Sequence, residues 1–248
     1  MEIADRDLAA AGARPAARAG VIGLGAVLLV ALPSAAFIGL GAATDRPYGQ
    51  DGGVVQFPLA IDKILAGESP YGADYSGTIL ARQARVSTFW DELGGNPILR
   101  HHAYLPGTHL VMLPFHLAGR ALFGGFDPRV VTLLFYALVI ALAVRLPVSV
   151  EGRLCAAGIA ALNPLVYWHQ IFGANDLVFV AMILGAVLLA REPSRVASGL
   201  LLGLACATKQ LAWPFAPFLL VSLCEARSFR DLAGAAAWRR LLGPATAA

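Results

Sequence analysis

The segment Val21-Ile-Gly-Leu-Gly-Ala-Val-Leu-Leu-Val-Ala-Leu-Pro-Ser-Ala-Ala-Phe-Ile-Gly-Leu-Gly-Ala-Ala43 contains no charged residue and decides the class of the chain. A bilayer core is crossed by ~20 consecutive apolar residues in a helix, and this run reaches that length unaided. Arg6, Arg14 and Arg18 precede it, and Ser34-Ala35-Ala36 has the small residues of a signal-peptide cleavage site. Its length favours a retained signal anchor. Of the 248 residues, 58% are apolar and 14% charged, with a mean hydropathy of +0.66. Soluble domains carry roughly a quarter charged residues. The expected fold class is all-α: a polytopic transmembrane helix bundle of about six spans with a long external loop.

The net charge of +3 is small, and the basic residues lie in short clusters between apolar runs. That distribution argues against a nucleic-acid partner and suits loop orientation in a lipid bilayer. Cys155, Cys206 and Cys224 sit in or at the end of apolar runs without the paired spacing of a zinc site or a disulfide framework.

Working outward from Ala43, the stretch Thr44 to Tyr104 is rich in Gly, Pro and Tyr and holds seven of the sixteen acidic residues. Within it, Val54, Val55, Leu59, Ile61, Ile64 and Leu65 recur at helical spacing, which predicts a short amphipathic helix on the membrane surface. Apolar runs follow at 105–118, 130–146, 154–168, 177–190, 196–207 and 213–223. Several are shorter than the ~20 residues of a comfortable span.

The positive-inside rule orients them. Arg145 and Arg153 flank one loop, Arg191 and Arg195 the next but one, and Arg227 and Arg230 a later one; the loops between carry only Lys209 as a fixed positive charge. This alternation gives six crossings with both ends inside. The run 105–118, interrupted by Pro106, Pro114 and His116, falls to the outer side. The chain is thus expected to be one membrane domain over 1–248, with a first external loop at 44–128 bearing surface helices and transmembrane helices 2–6 in 129–224. Acidic residues of the long loop, Asp176 and Lys209 then share the outer side, where ionisable groups at the membrane edge are functional candidates.

The order Asp51-Gly-Gly-Val-Val-Gln-Phe57, Gly67-Glu-Ser-Pro70-Tyr71 and Tyr104-Leu-Pro106 resembles the first external loop of the polytopic GT-C glycosyltransferases, particularly the bacterial family 87 mannosyltransferases. Asn163-Pro164, Gly173-Ala174-Asn175-Asp176, and Ala197-Ser-Gly199 leading through Gly203 to Lys209 and Pro214 are similar to the helices that follow in that family. Ala174 stands where Gln is common in the family. The resemblance implies transfer of a hexose, mannose above all, from a polyprenyl-phosphate donor to a glycan or glycolipid acceptor, at the outer face of the cytoplasmic membrane. It implies an inverting reaction with a loop aspartate at its centre, no obligatory cofactor and an optional divalent metal. Such enzymes usually have ten or more spans, so this chain is expected to be C-terminally truncated. The alternative is a non-catalytic membrane subunit or transporter fragment.

That chemistry needs a base for the acceptor hydroxyl and groups that hold the departing phosphate. Asp51 is the candidate base, against Asp45, Asp62, Glu68 or a simple turn role for Asp51-Gly52-Gly53. Asp176 is a second catalytic candidate, orienting acceptor or metal, and Asn175 accompanies it; either residue could instead cap the following helix. Lys209 is placed to grip the phosphate, or else snorkels from a helix end. Arg129 is a second phosphate candidate and Arg120 a weaker one. Tyr71 and Tyr104, like Tyr48, Tyr75 and Trp90, either stack on sugar or anchor the loop at the interface. Four of the five histidines, His101, His102, His109 and His116, fall in the outer segment, where a divalent metal is one reading of them.

Overall fold

Pro33 sits inside the longest helix without breaking it. Helix α1 (Glu2–Ala26) continues through a π-helical segment (Val27–Ala31) into α2 (Leu32–Thr44). Proline has no N–H to offer the preceding turn, and the wider π turn just ahead of it absorbs the mismatch. The computed structural model describes residues 2–44, 53–84, 95–191, 195–226, 228–234 and 238, with backbone alone for 2–13, 83 and 84. Among these, Arg14–Thr44, 31 residues whose most apolar 18-residue window has a mean hydropathy of 2.4, is the one helix long and apolar enough to cross a membrane. Val21, Leu24, Leu28 and Leu32 each expose more than half of their surface along it. A ridge of that kind suits hydrocarbon, not water.

Every regular element among the described residues is helical: α3 (Gly53–Leu65), α4 (Ile79–Ala84), α5 (Pro106–Phe123), α6 (Pro128–Ala143), α7 (Val150–Leu162), α8 (Pro164–Phe172), α9 (Asp176–Leu189), α10 (Arg195–Thr208) and α11 (Ala216–Leu223), with 3-10 turns at Pro97–Leu99, Gln210–Phe215 and Phe229–Ala233. The apolar run 154–168 is two helices. Asn163 accepts a hydrogen bond from the Leu165 amide and Pro164 opens the new helix, so the chain turns where hydropathy alone runs on. The run 213–223 begins as a 3-10 turn around Pro214. Four further apolar helical stretches have 10–17 residues, ~15–26 Å at 1.5 Å per residue, short of a ~30 Å hydrocarbon core.

Helix α9 packs between α6 and α10, while α7 lies against α1 and α6. Val178, Met182, Ala205, Met112, Val131 and Ile61 form one core cluster, and Val30, Tyr136, Val139, Ala161 and Ala181 another. Helix α5 meets α10 very closely at its first turn. A Cβ on Gly107 would lie 2.6 Å from the Ala207 carbonyl group, and the Thr108 hydroxyl donates to the Thr208 carbonyl at 2.7 Å. Only residues 124–127 join the far end of α5 to α6, whose first turn reaches the Ile171 carbonyl through Arg129. The 18 residues of α5 measure ~27 Å, against ~17 Å for the fully extended link. Helix α5 therefore lies obliquely across this end of the bundle.

The first loop is clamped onto α3 and α5. Gln56 donates to the carbonyls of Ile98 and His101 at 3.2 and 3.3 Å, the Tyr71 hydroxyl donates to the Tyr104 carbonyl at 2.9 Å, and Phe57 stacks on Tyr104. The Nε2 atoms of His102 and His109 are 2.6 Å apart, one donating to the other. Burial, reinforced by the neighbouring His109, holds His102 down at about 4. Above its ordinary value near 6.5 the ring is neutral folded or unfolded. Between there and about 4 the unfolded chain binds the extra proton, so stability is lost as pH falls. The thermal midpoint of the purified protein is expected to drop more between pH 7 and pH 5 than that of His102→Asn; equal drops would show that the pair does not carry the dependence. At the α5–α10 contact, Gly107→Val is expected to cost ~1–3 kcal/mol. Gly199→Ala, with nothing within 4 Å of the added carbon, should cost none, both being read by denaturant unfolding in detergent.

Candidate active site

Helix α8 ends on Gly173, whose φ of 90° is left-handed, and the amides of Gly173 and Ala174 return to the His169 carbonyl. Glycine is demanded twice here, because a Cβ would also lie 1.9 Å from a methyl of Val54. The first turn of α3 is thereby seated on the 173–176 turn. Asn175 stands at the N-cap of α9 but makes no side-chain cap. Its Oδ1 instead accepts from Lys209 Nζ at 3.0 Å. Asp176 opens α9, where the helix dipole favours a carboxylate. It pairs with Lys209, and His169 Nδ1 lies 3.7 Å from its other oxygen.

Lys209 is extended backbone, the point where α10 stops and the chain turns into the Gln210–Phe215 segment. Lys209 and Asp176 expose 17% and 24% of their side chains, deep enough for the pair to exceed a solvated surface contact and open enough to be reached. Asn175 is buried, and its Nδ2 has no hydrogen-bond partner among the described residues. The irregular turn 173–175 and the helix break at Lys209 thus meet with their polar groups turned on each other.

Arg129 lies beneath them and is fully buried. Asp127 caps α6 through the Arg129 amide and holds the guanidinium at 2.6 Å. The same guanidinium donates to the carbonyls of Phe37 and Ile171, and Gln170 donates to the Arg129 carbonyl at 3.2 Å. Tyr71 and Tyr104 stand on the other flank. With Ile61, Pro106, His109 and Leu110, Tyr71 lines an apolar groove of about 310 Å³. Pro106 joins that groove to Lys209, because Gly107 and Thr108 pack on Ala207 and Thr208.

Asp51 lies outside the described residues, as do Asp45, Tyr48 and Trp90. The nearest described positions are Gly53 and Val54, and Val54 is the residue that docks on Gly173. Among the described residues, the two other acids weighed as the base are engaged: Asp62 with His116 and Arg120, and Glu68 with Lys63. The histidines divide between two partnerships, His102 with His109 and His116 with Asp62, while His101 gives its carbonyl to Gln56. No three His, Cys, Asp or Glu side chains converge as a metal set among the described residues. His169, Gln170, Gln56 and Thr108 were not singled out by sequence. For His169 a signal existed, a polar residue in the same short loop as Asp176, but only the Gly173 turn folds it back.

A family model for glycosyltransferase family 87 matches residues 102–242, more than half of the 248 residues. The match takes in Tyr104, Arg129, Asn175, Asp176 and Lys209 and starts after Asp51 and Tyr71. No curated protein and no solved structure matches the chain. Family 87 consists of membrane glycosyltransferases. The chain belongs to glycosyltransferase family 87.

Proposed function

We propose that the chain transfers a hexose, with mannose the expected sugar, from a polyprenyl-phosphate carrier to a glycan or glycolipid acceptor at the outer face of the cytoplasmic membrane. It does so as one multi-pass domain of six crossings, with the first external loop at 44–128 forming a wall of the site. The observation that carries this reading is the Lys209–Asp176–Asn175 constellation, set where two helices stop, beside an apolar groove. Irregular backbone at membrane depth is tolerated where it lines a cavity, and ionisable groups there mark substrate paths. Support for several crossings comes from Leu134, Ile159, Leu200 and Phe218, large apolar residues exposed on four different helices. Arg191 donates to the Leu146 carbonyl at 2.9 Å, at the arginine-rich end opposite the recess.

In the proposed reaction the acceptor hydroxyl oxygen attacks the anomeric carbon from the face opposite the phosphate. The bond from that carbon to the phosphate oxygen breaks, and polyprenyl phosphate leaves with the electron pair. The acceptor proton passes to the Asp51 carboxylate, and the configuration inverts. Lys209 supplies a point charge to the phosphate, while Asp176 and Asn175 fix the ammonium and orient the acceptor. Tyr71 and Tyr104 flank the sugar, and the groove beside Tyr71 takes the first isoprene units. Arg129 acts from below, as the buried support of the turn that carries Asn175 and Asp176.

Membranes carrying the chain, supplied with polyprenyl-phosphate mannose and a membrane glycan or glycolipid fraction, are expected to transfer sugar. Asp51→Ala should lower kcat by ~10²–10⁴-fold, the range of a lost general base. Lys209→Ala should act mainly on the KM for the donor. Unchanged transfer in Asp51→Ala would remove it as the base, and inactive wild-type membranes would favour the non-catalytic subunit.

A further inference from the structure

At the opposite end of the bundle a second groove, about 460 Å³, lies between α1, α6 and α7. It runs from Pro15 to Ala26 on α1 and from Val150 to Ala161 on α7, with Ile140 and Val144 behind it. Each helix advances eleven residues along it, ~16 Å, which is about one leaflet of a ~30 Å hydrocarbon core. Ala19, Gly23 and Ala157 leave the space open, since their side chains are too small to fill it. The walls are apolar and the groove is open along its side, the shape of a site for one extended chain.

Its rim is basic. Arg153 lines the groove, held by its Nε donating to the Pro147 carbonyl at 3.3 Å. Arg14 immediately precedes Pro15, Arg145 immediately follows Val144, and all three arginines are exposed. Among the described side chains, the acid at this end of α7, Glu151, lines the neighbouring groove together with Arg18. We infer that the α1–α6–α7 groove binds an anionic phospholipid, one acyl chain lying along Ala19, Gly23 and Ala157 and the phosphate resting among Arg14, Arg145 and Arg153. Basic pockets between membrane helices select acidic headgroups by charge, and a zwitterionic lipid gains little from the same arginines. The inference rests on α1 lying in a bilayer and is independent of the donor and acceptor proposed above.

The test is lipid binding to the detergent-purified protein, followed by native mass spectrometry, with phosphatidylglycerol and phosphatidylcholine of the same acyl chains. Phosphatidylglycerol should bind at least tenfold more tightly. Arg145→Gln/Arg153→Gln should weaken it by about fivefold for each arginine removed, leaving phosphatidylcholine unchanged. Ala157→Phe, which fills the groove, should weaken both. Equal affinity for the two lipids, or an arginine double variant that binds phosphatidylglycerol as well as the wild type, would overturn the inference. So would displacement of the lipid by glycerol phosphate at equal concentration, because a free phosphate would then suffice without the groove. If the double variant does not fold, the wild-type comparison decides alone: added salt must weaken phosphatidylglycerol and spare phosphatidylcholine.

Discussion

A guanidinium with no exposed surface, that of Arg129, joins α2, α6 and α8. A buried charge is tolerable only when it is paired and its remaining protons are bonded. Asp127 supplies the countercharge and the carbonyls of Phe37 and Ile171 take further protons. Both carbonyls are helix-end or helix-face groups whose positions are then no longer adjustable. Ile171 is two residues ahead of Gly173, and the Arg129 stem lies 3.7 Å from where a Gly173 Cβ would be. The turn that presents Asn175 and Asp176 is therefore fixed from below by Arg129 and from the side by Val54. Removing the guanidinium would leave Asp127 uncompensated, a loss of about 3–5 kcal/mol for a buried pair, and would free the turn as well.

Much of the scaffold was legible because side-chain periodicity and backbone geometry agree. The helical spacing of Val54, Val55, Leu59, Ile61, Ile64 and Leu65 is met by the helix Gly53–Leu65, which buries Val54, Val55 and Ile61 against the bundle and leaves Ile64 and Leu65 exposed. What hydropathy hides is punctuation. A run such as 154–168 reads as one apolar segment, yet Asn163 offers a side-chain acceptor and Pro164 a fixed φ, and together they start a new helix. Pro33 shows the converse: proline is not a break when a π turn can take up the missing hydrogen bond. The reading that began the long helix near Val21 stopped short for a similar reason. Arg14 and Arg18 are polar, but the helical backbone extends through them to Glu2.

At the site, residue types were legible and partnerships were not. Asp176 and Lys209 stand out as ionisable residues bordering apolar helices, but 34 positions separate Asn175 from Lys209, and no local period connects them. Asn175 was open to a capping role. The structure turns its oxygen to Lys209, because the ammonium is a stronger donor than a backbone amide. Tyr71 meets Tyr104 through a main-chain carbonyl, a contact blind to residue type. The histidines, for which a divalent metal was one reading, include two hydrogen-bond partnerships made by the fold, His102 with His109 and His116 with Asp62.

Helix length ties the two ends together on the six-crossing reading proposed above. Helices α9 and α10 have 14 residues each, ~21 Å, whereas Arg14–Thr44 has 31 residues, ~46 Å. With the arginine-rich ends anchored at one interface, the far ends of α9 and α10 stop ~9 Å below the other side of a ~30 Å core. Asp176 and Lys209 occupy those ends, so on this reading they would lie below the interface. Such a mismatch is costly against lipid alone and is relieved when protein lines the gap. A carrier lipid whose phosphate lies near the interface would reach Lys209 by entering from the side, along the groove beside Tyr71 and Leu110. On the proposed reading the short helices are not defective spans: their length would set the depth at which a membrane-bound donor meets a protein charge.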